Sequence, residues 1–335
     1  MAEPLLKVSG LQTHFFTEEG VVKAVDGVDF EVHRGQVLGI VGESGCGKSV
    51  TTLSILRLVA APQGRTVGGQ ILFKGQDLLK LPEAQMREIR GNRIALISQD
   101  PLTSLNPVLT VGDQIMEAII LHQHVDKKTA RQKAIAALEA VGIPSAASRI
   151  DEYPHQFSGG MRQRVVIAMA LSCEPELLIA DEPTTALDVT IQAQILALMD
   201  DIRRQREAAI ILITHDLGVV AEMCDYVAVM YAGKVVEYSD VATIFANPKH
   251  PYTRGLLKSI PQLGEKKSRL VPIEGQPPSL ALLPSGCAFA PRCTDYTRKC
   301  SQQMPLLEQI DTNHMVRCWV SAGQQDTPAP AGAAR

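Results

Sequence analysis

The sequence predicts an α/β fold with an inserted helical subdomain and a small C-terminal extension. Short apolar runs alternate with amphipathic helical stretches, which is the pattern of a parallel sheet covered by helices. Three runs have the length and composition of buried strands: Val37–Val41, Leu177–Ala180 and Ile210–Thr214. The strand signal disappears between residues 101 and 157, where Val111–Leu121 and Lys128–Val141 have helical patterns. We therefore expect a helical segment inserted into the sheet-forming part of the chain.

The composition is that of an ordinary globular protein of the cytoplasm. The chain has 335 residues, 45% hydrophobic and 21% charged, which is enough for one large core and an appendage. Its net charge of -3 points neither to nucleic acid nor to an anionic membrane surface. No apolar run approaches the roughly 18 residues of a membrane-spanning helix, and Glu3, Pro4 and Lys7 interrupt any signal-peptide core. We expect partners to carry out any work in the membrane.

A phosphate-binding loop follows the first buried strand. Gly42-Glu43-Ser44-Gly45-Cys46-Gly47-Lys48-Ser49 matches the pattern G-x-x-x-x-G-K-S/T, and a helix-compatible run, Ser49–Leu58, comes next. Lys48 is expected to reach the β- and γ-phosphates, and the Ser49 hydroxyl to bind Mg²⁺. A glycine-rich turn without a ligand is the alternative, which the flanking strand and helix disfavour. The residues expected to contact ATP here are Gly42, Ser44, Gly45, Cys46, Gly47, Lys48, Ser49 and Val50.

Two carboxylates end the second buried strand. In a parallel sheet, ligands bind at the carboxyl ends of the strands. Asp181 is therefore suited to hold Mg²⁺ through water, and Glu182 to polarise the water that attacks the phosphate. An acidic turn that caps the next helix would account for one carboxylate but not for both. Gln99 follows the strand-like Ile94–Ser98, and its amide is expected to reach Mg²⁺ and that water. His215 follows the third strand and is expected to donate a hydrogen bond to the γ-phosphate.

A Ser-Gly-Gly turn precedes the strand that carries the carboxylates, within Phe157-Ser158-Gly159-Gly160-Met161-Arg162-Gln163-Arg164. A helix that begins there offers further backbone donors to an anion. The segment resembles the L-S-G-G-Q signature of the ABC ATPase family, with Phe and Met in place of the usual Leu and Gln. The resemblance implies a P-loop RecA-like ATPase core. It also implies that Ser158, Gly159 and Gly160 contact ATP held by a second cassette, so that hydrolysis requires a dimer.

The ABC resemblance covers about residues 5–260 and implies further roles. Thr185-Ala186-Leu187-Asp188 matches the D-loop of the family, so Asp188 joins the expected nucleotide contacts. His215 matches the switch histidine. Phe15 lies where the family stacks an aromatic ring on adenine, with Phe16 as the alternative.

Three further segments resemble the ATPase subunits of bacterial oligopeptide and dipeptide importers: Ile97-Ser98-Gln99-Asp100-Pro101-Leu102-Thr103-Ser104-Leu105-Asn106-Pro107, Tyr153-Pro154-His155-Gln156 and Asn247-Pro248-Lys249-His250-Pro251-Tyr252-Thr253. This likeness implies a peripheral ATPase on the cytoplasmic face of the bacterial inner membrane that energises peptide import. The implied partners are a second, homologous ABC ATPase subunit in a heterodimer, two transmembrane permease subunits and, through them, an extracytoplasmic peptide-binding protein. Nucleic acid is not among them.

Alternatives to this function remain open. Importers of nickel and other small solutes share the same features. A soluble ABC ATPase acting on nucleic acid or ribosomes is disfavoured because the sequence has no basic patch and no second cassette. A small-molecule P-loop kinase is disfavoured by Ser158-Gly159-Gly160. The expected division is a nucleotide-binding domain at residues 1–247 with its helical subdomain at about 101–164, an extension at 248–321 and a disordered tail at 322–335.

Four cysteines crowd into the proline-rich extension: Cys287, Cys293, Cys300 and Cys318. A reducing compartment disfavours disulfides, and the spacing lacks the close C-x-x-C pairs of zinc knuckles. The residues alone suit a [4Fe–4S] cluster, a zinc ion or no metal. The importer resemblance implies a [4Fe–4S] cluster. Nearby, His250-Pro251-Tyr252-Thr253 is either a plain turn with a packed ring or an element with a direct function.

Overall fold

The structure is a computed structural model that describes residues 3–184, 187–259 and 272–323, without the side chains of residues 101 and 102. Within these ranges the strands are β1 (Leu6–Thr17), β2 (Gly20–Val32), β3 (Val37–Val41), β4 (Gly64–Phe73), β5 (Gln76–Asp77), β6 (Ile94–Ile97), β7 (Leu177–Asp181), β8 (Ala209–Ile213), β9 (Tyr226–Tyr231), β10 (Lys234–Asp240), β11 (Glu308–Asp311) and β12 (His314–Val316). The α-helices in the same ranges are α1 (Lys48–Ile55), α2 (Glu83–Ile89), α3 (Pro101–Ser104), α4 (Val111–Gln123), α5 (Lys127–Ala140), α6 (Ala146–Arg149), α7 (Gly159–Leu171), α8 (Val189–Arg206), α9 (Leu217–Met223), α10 (Val241–Ala246), α11 (Pro251–Lys258) and α12 (Arg298–Gln302). Short 3₁₀ turns occur at Leu78–Lys80, Pro154–Gln156 and Ala290–Arg292.

The described residues pack into two compact units. Within the described ranges, unit 1 draws on residues 3–6, 32–37, 73–184 and 187–214, and unit 2 on residues 7–31, 38–72, 215–259 and 272–323. Residues 324–335 of the expected tail lie outside the described ranges. In the ranges that are described, no helix combines the length and the apolarity needed to cross a bilayer.

Unit 1 contains parallel strands in the order β8-β7-β6. Ala180 on β7 pairs with Ile97 on β6 and with Leu212 on β8. Both β7 and β8 are buried along their whole length, which explains why the sequence shows unbroken apolar runs there. Because parallel strands end at the same edge of a sheet, the residues that follow β6 and β7 become neighbours.

Helices supply the regular structure between residues 101 and 157 of unit 1, as the sequence predicts. The Thr110 hydroxyl accepts the N–H of Asp113 at 3.1 Å and so caps the start of α4. The Asp126 carboxylate accepts the N–H of Thr129 at 2.8 Å and caps α5 in the same way. These two helices pack on each other and on α7. The insertion therefore has its own apolar interior within unit 1.

Unit 2 combines a parallel strand pair with antiparallel additions. β3 is parallel to β9, with Val41 opposite Val229, and the order continues through β10 and β12 to β11. β2, β1 and β4 are neighbours in that order in a separate sheet. The extension therefore contributes two strands, which the sequence does not reveal because runs of four and three residues are too short to show alternation.

The α1 helix is shorter than predicted. It begins at Lys48 and ends at Ile55, whereas the apolar pattern predicts a helix to Leu58. The chain turns because Arg57 adopts a left-handed φ of 53°, which stops helical hydrogen bonding.

Candidate nucleotide-binding and hydrolysis site

The phosphate loop lies in unit 2, between β3 and α1, in a conformation that requires glycine. Gly42 has a φ of 150° and Gly47 a φ of 107°. A Cβ at Gly42 would collide with the carbonyl oxygen of Met230, and one at Gly47 with that of Ala24. Side chains at these two positions would therefore force β9 or β2 to move.

Lys48 is the first residue of α1, and its ammonium group folds back over the loop. Its Nζ donates to the carbonyl oxygens of Gly42 at 2.8 Å and Glu43 at 3.0 Å. Ser44 and Gly45 form the exposed tip of the loop, and Ser49 and Val50 are half-buried. Backbone donors, a helix N-terminus and a lysine charge are thus concentrated around one loop, which suits a polyphosphate.

Cys46 differs from the other predicted ATP contacts because its side chain points into unit 2. The residue is 5% exposed, and a Cβ built on Gly42 would lie 2.8 Å from its sulfur. Burial raises the pKa of the Cys46 thiol, and the nearby Lys48 charge offsets this only in part. Any contact of Cys46 with a phosphate would therefore use its backbone and not its sulfur.

The predicted catalytic carboxylate and glutamine meet in unit 1. Asp181 is the last residue of β7 and is 8% exposed, and Glu182 follows it. Gln99 Nε2 donates to Glu182 Oε2 at 2.9 Å. The pairing of Ile97 with Ala180 brings them together, because Gln99 and Glu182 each lie two residues beyond their own member of that pair. The structure thus joins two residues that the sequence assigns to the same water molecule.

The backbone at Glu182 turns sharply. Its φ is 48°, a left-handed conformation that costs a non-glycine residue roughly 1–2 kcal/mol. Its N–H donates to the carbonyl oxygen of Ile213 at 2.9 Å, which fixes the turn to the end of β8. Such strained positions are concentrated at functional sites, so the turn supports a special role for this carboxylate.

Gln163 is a candidate site residue that was not predicted from the sequence. It lies on α7, is 2% exposed, and its Nε2 donates to the carbonyl oxygen of Pro183 at 2.7 Å. Pro183 follows Glu182, so α7 is tied to the segment that carries this predicted catalytic carboxylate. A neutral polar residue among the apolar residues of a buried helix could have indicated this, because buried amides require partners.

The Ser-Gly-Gly turn opens α7 and faces solvent. The Ser158 hydroxyl accepts the N–H of Met161 at 3.3 Å and caps the helix, while Ser158 and Gly159 are exposed. A Cβ on Gly160 would meet only Leu187, at 3.5 Å. Phe157 is 2% exposed and fills the interior, so its replacement of the family leucine leaves the exposed turn unchanged.

Asp188 and His215 flank two further helices. The Asp188 carboxylate accepts the N–H of Ile191 at 2.9 Å and caps α8. Thr185 and Ala186, the first two residues of the expected D-loop, lie outside the described residues. His215 is exposed in unit 2 and precedes the residue that caps α9. The nucleotide contacts of Asp188 and His215 stay predictions.

Both aromatic candidates for adenine stacking lie on β1. Phe15 is half-buried beside Gly64, where a Cβ would approach its ring edge at 2.8 Å. Phe16 is 43% exposed, with the Arg65 guanidinium 5.5 Å from its ring centroid. The choice between these two rings stays open.

The four C-terminal cysteines surround one small cavity in unit 2. Cys287, Cys293, Cys300 and Cys318 line it together with Trp319, and its free space is about that of one water molecule. Burial raises the pKa of the Cys287 thiol to about 11 and that of the Cys293 thiol to about 12.

The structure by itself does not support the predicted [4Fe–4S] cluster or the alternative zinc ion. Over the described ranges, no group of three or more His, Cys, Asp or Glu side chains is arranged to hold a metal ion. Cys300 and Trp319 belong to a small apolar cluster, and Cys287 packs against it. The spacing of the cysteines predicted their shared location, but not the geometry of a metal site.

Two family models match the chain. A model described as "ABC transporter" matches residues 25–185, which include the phosphate loop, Gln99, Glu182 and the Ser-Gly-Gly turn. A model described as "Oligopeptide/dipeptide transporter, C-terminal region" matches residues 236–300. Both resemblances inferred from the sequence are thereby confirmed.

Relatives match over nearly the full length. The "Probable peptide ABC transporter ATP-binding protein y4tR" of Sinorhizobium fredii is 56% identical over 96% of both chains. The "Dipeptide transport ATP-binding protein DppD" of Bacillus subtilis is 51% identical over 99% of both chains. The solved post-hydrolysis dimer of the ATP-binding cassette MJ0796, bound to ADP and Pi, matches 70% of this chain and 98% of its own with a TM-score of 0.65 and 24% identity, which supports the fold. The chain therefore belongs to the ABC transporter family, in the group of oligopeptide/dipeptide transporter ATP-binding proteins.

Proposed function

We propose that the chain is the ATP-hydrolysing subunit of an ABC-type importer of oligopeptides or dipeptides. The observation that carries this proposal is the full-length likeness to peptide-transport ATP-binding proteins, which includes the C-terminal region beyond the cassette. The phosphate loop and the Gln99–Glu182 pair supply the chemistry that such a subunit needs.

The residues present fit MgATP. Asp181 and Gln99, which follow or end strands of unit 1, and Ser49, at the start of α1 in unit 2, each offer an oxygen of the kind that Mg²⁺ binds. The ion would neutralise charge on the phosphates during transfer. Lys48 already lies over the loop carbonyls and would turn to the β- and γ-phosphates. Glu182 would accept the proton of the attacking water, with its carboxylate oriented by the Gln99 amide.

Ser158, Gly159 and Gly160 are proposed to act on ATP held by an opposite cassette. The support is that this turn is exposed and begins a helix of 13 residues, so its backbone donors are available to another molecule. A heterodimer with a homologous ATPase subunit, two membrane permeases and a peptide-binding protein completes the proposed machine. It would lie on the cytoplasmic face of the membrane, with no role for nucleic acid.

A [4Fe–4S] cluster in the extension is part of the same proposal. Its support is the convergence of four cysteines on one cavity. Cys287, Cys293, Cys300 and Cys318 would hold the cluster through their thiolates. Loading it would require the cavity wall to move outward.

Anaerobic purification tests the cluster. We expect brown protein with about four irons per chain, and loss of iron in Cys300→Ser. Cys173→Ser is the matched control, because Cys173 is equally buried but lies in unit 1. Metal-free protein with four thiols that react after unfolding would contradict the cluster, and one zinc per chain would replace it with a zinc site.

Purification of the tagged chain with its membrane partners tests the transport function. After reconstitution into liposomes, peptides of two to five residues and Ni²⁺ are added separately with the binding protein. We expect peptides to stimulate ATP hydrolysis and Lys48→Ala to abolish it. Stimulation by Ni²⁺ alone would establish a small-solute importer instead, and a complex that contains no permease would refute the transport function.

A further inference from the structure

Glu43, the second residue of the phosphate loop, is bound at three separate groups. Its backbone N–H donates to the hydroxyl of Tyr252 at 2.8 Å. Its carbonyl oxygen accepts from Lys48 Nζ at 3.0 Å. Its carboxylate forms two parallel hydrogen bonds with Arg292, Nη1 to Oε2 at 2.7 Å and Nη2 to Oε1 at 2.9 Å. Two of these three partners belong to the C-terminal extension.

Arg292 is built into unit 2 and does not swing freely. Its side chain is 4% exposed. Besides Glu43, Nη1 donates to the Tyr231 hydroxyl at 3.2 Å, Nε to the carbonyl oxygen of Glu274 at 2.9 Å and Nη2 to that of Ile273 at 3.3 Å. A planar guanidinium held at all three nitrogens has a fixed direction, so it can fix the carboxylate that it binds.

Tyr252 is fixed as firmly. It is fully buried, with its ring centroid 4.6 Å from that of Tyr231 and 5.4 Å from that of Phe289. The neighbouring His250 caps α11 by accepting the Tyr252 N–H on Nδ1 at 3.1 Å. Burial lowers the pKa of His250 to about 3, so the ring is neutral and able to accept at neutral pH. The hydroxyl of Tyr252 therefore meets the loop from a rigid base.

An unpaired carboxylate on Glu43 would oppose nucleotide binding. ATP brings several negative charges to a loop whose backbone donors are arranged for an anion. Like charges at short range in a partly buried site repel strongly, because the effective dielectric constant is well below that of water. In the ion pair, the positive charge of Arg292 offsets the negative charge of Glu43 at this position.

We propose that Arg292 and Tyr252 are positioning residues for MgATP, through which the C-terminal extension holds the phosphate loop and neutralises Glu43. The inference rests on the proposed binding of MgATP at that loop. Within His250-Pro251-Tyr252-Thr253, the packed ring of Tyr252 thus has a direct role, because its hydroxyl contacts the loop. Cys293 directly follows Arg292, so the cysteine cavity and the phosphate loop are linked through one short segment.

If Arg292 neutralises Glu43, the variants of this pair should differ in MgATP affinity in a way that a purely stabilising ion pair would not produce. Arg292→Gln leaves Glu43 charged and should weaken MgATP binding. Glu43→Gln leaves a cation beside the loop and should bind MgATP at least as well as the parent. The double variant Glu43→Gln/Arg292→Gln should therefore bind better than Arg292→Gln alone. If the pair served stability only, the two single variants would affect nucleotide affinity alike.

The experiment measures the dissociation constant of a fluorescent MgATP analogue for the full-length chain at 0.02 M and 0.15 M salt, with the thermal melting of each nucleotide-free variant in parallel. Arg292→Gln should weaken binding by roughly tenfold at low salt, equivalent to about 1.4 kcal/mol, and by less at 0.15 M because salt screens the repulsion. The double variant should recover most of that loss. Tyr252→Phe, which removes only the hydroxyl, should weaken binding by about threefold, or about 0.65 kcal/mol.

Arg254→Gln is the matched control, because Arg254 pairs with Asp295 in the same extension and that ion pair does not include the loop. It should leave the affinity unchanged. Lys48→Ala defines the site: if the parent chain binds the analogue no better than this variant, the proposed MgATP function fails and not the positioning role alone. Parent-like affinity in Arg292→Gln, or a double variant no better than Arg292→Gln, would overturn the inference. A variant too unstable to assay is replaced by Tyr252→Phe, whose unchanged affinity would also overturn it.

Discussion

Replacing Glu182 with Gln should abolish ATP hydrolysis while MgATP binding persists. The change removes the proton-accepting charge and little else. The Gln99 Nε2 donor, 2.9 Å from Glu182 Oε2 in the parent, can donate equally well to an amide oxygen. The hydrogen bond from the residue 182 N–H to Ile213 is a backbone interaction and is retained. The left-handed φ of 48° places a similar demand on either side chain.

The expected size of the effect follows from the loss of a general base. Hydrolysis should slow by about 10²–10⁴-fold, equivalent to about 3–5 kcal/mol of activation free energy. The free energy of unfolding should change by no more than roughly 1 kcal/mol, because no buried contact is removed. The closed dimer should accumulate, since nucleotide still binds but is not consumed.

Single-turnover hydrolysis and the MgATP dissociation constant are measured side by side, with Glu176→Gln as the matched control. Glu176 immediately precedes β7, at its opposite end, and accepts hydrogen bonds from Arg34 at 2.6 Å, Lys74 at 3.0 Å and Arg93 at 2.9 Å. The same chemical change there should lower stability and leave the chemical step intact. Near-normal turnover in Glu182→Gln would remove this residue from the mechanism. An equal loss in both variants would show that the effect is structural.

Three further outcomes are expected. Glu176 makes the free energy of unfolding sensitive to acid. Burial by itself raises the pKa of this carboxyl, but its basic partners outweigh burial and lower the pKa to about 2. Its contribution to stability is complete above about pH 4.5 and should vanish in acid-unfolding measurements as the pH falls toward 2. Glu176→Gln should flatten this dependence, and an unchanged profile would contradict it. Cys46 should react slowly with iodoacetamide in the native chain, because it is buried and burial raises the pKa of its thiol. A fast reaction that is lost in Cys46→Ser would show instead that the loop opens. Ser158→Arg should block the closed dimer while the isolated chain binds nucleotide as before, at a cost of about 1 kcal/mol for the lost helix cap, and normal dimer closure in this variant would contradict the composite site.

The phosphate loop was predictable because the residues that form it are contiguous in the sequence. Val37–Val41 is a strand with the predicted bounds, since five apolar residues in a row are buried on both faces. The loop after it requires glycine at Gly42 and Gly47, because both have a positive φ and lie against backbone carbonyl groups. The two glycines therefore occur at a fixed spacing in the sequence. The meeting of Gln99 and Glu182 also followed from pattern, because each lies just beyond a neighbouring parallel strand.

The sequence by itself therefore determined the presence of β3, β7 and β8, the phosphate loop, the position of Asp181 and Glu182 at a strand end, and the family to which the chain belongs. Only the tertiary structure decided that Cys46 points inward, that Gln163 holds Pro183 and that Arg292 binds Glu43 across 249 residues of sequence. The physical reason is the separation in sequence between the residues that interact. Periodicity and backbone conformation are properties of neighbouring residues, whereas a buried amide or guanidinium finds its partner only after the whole chain has folded, and no local pattern records which partner that is.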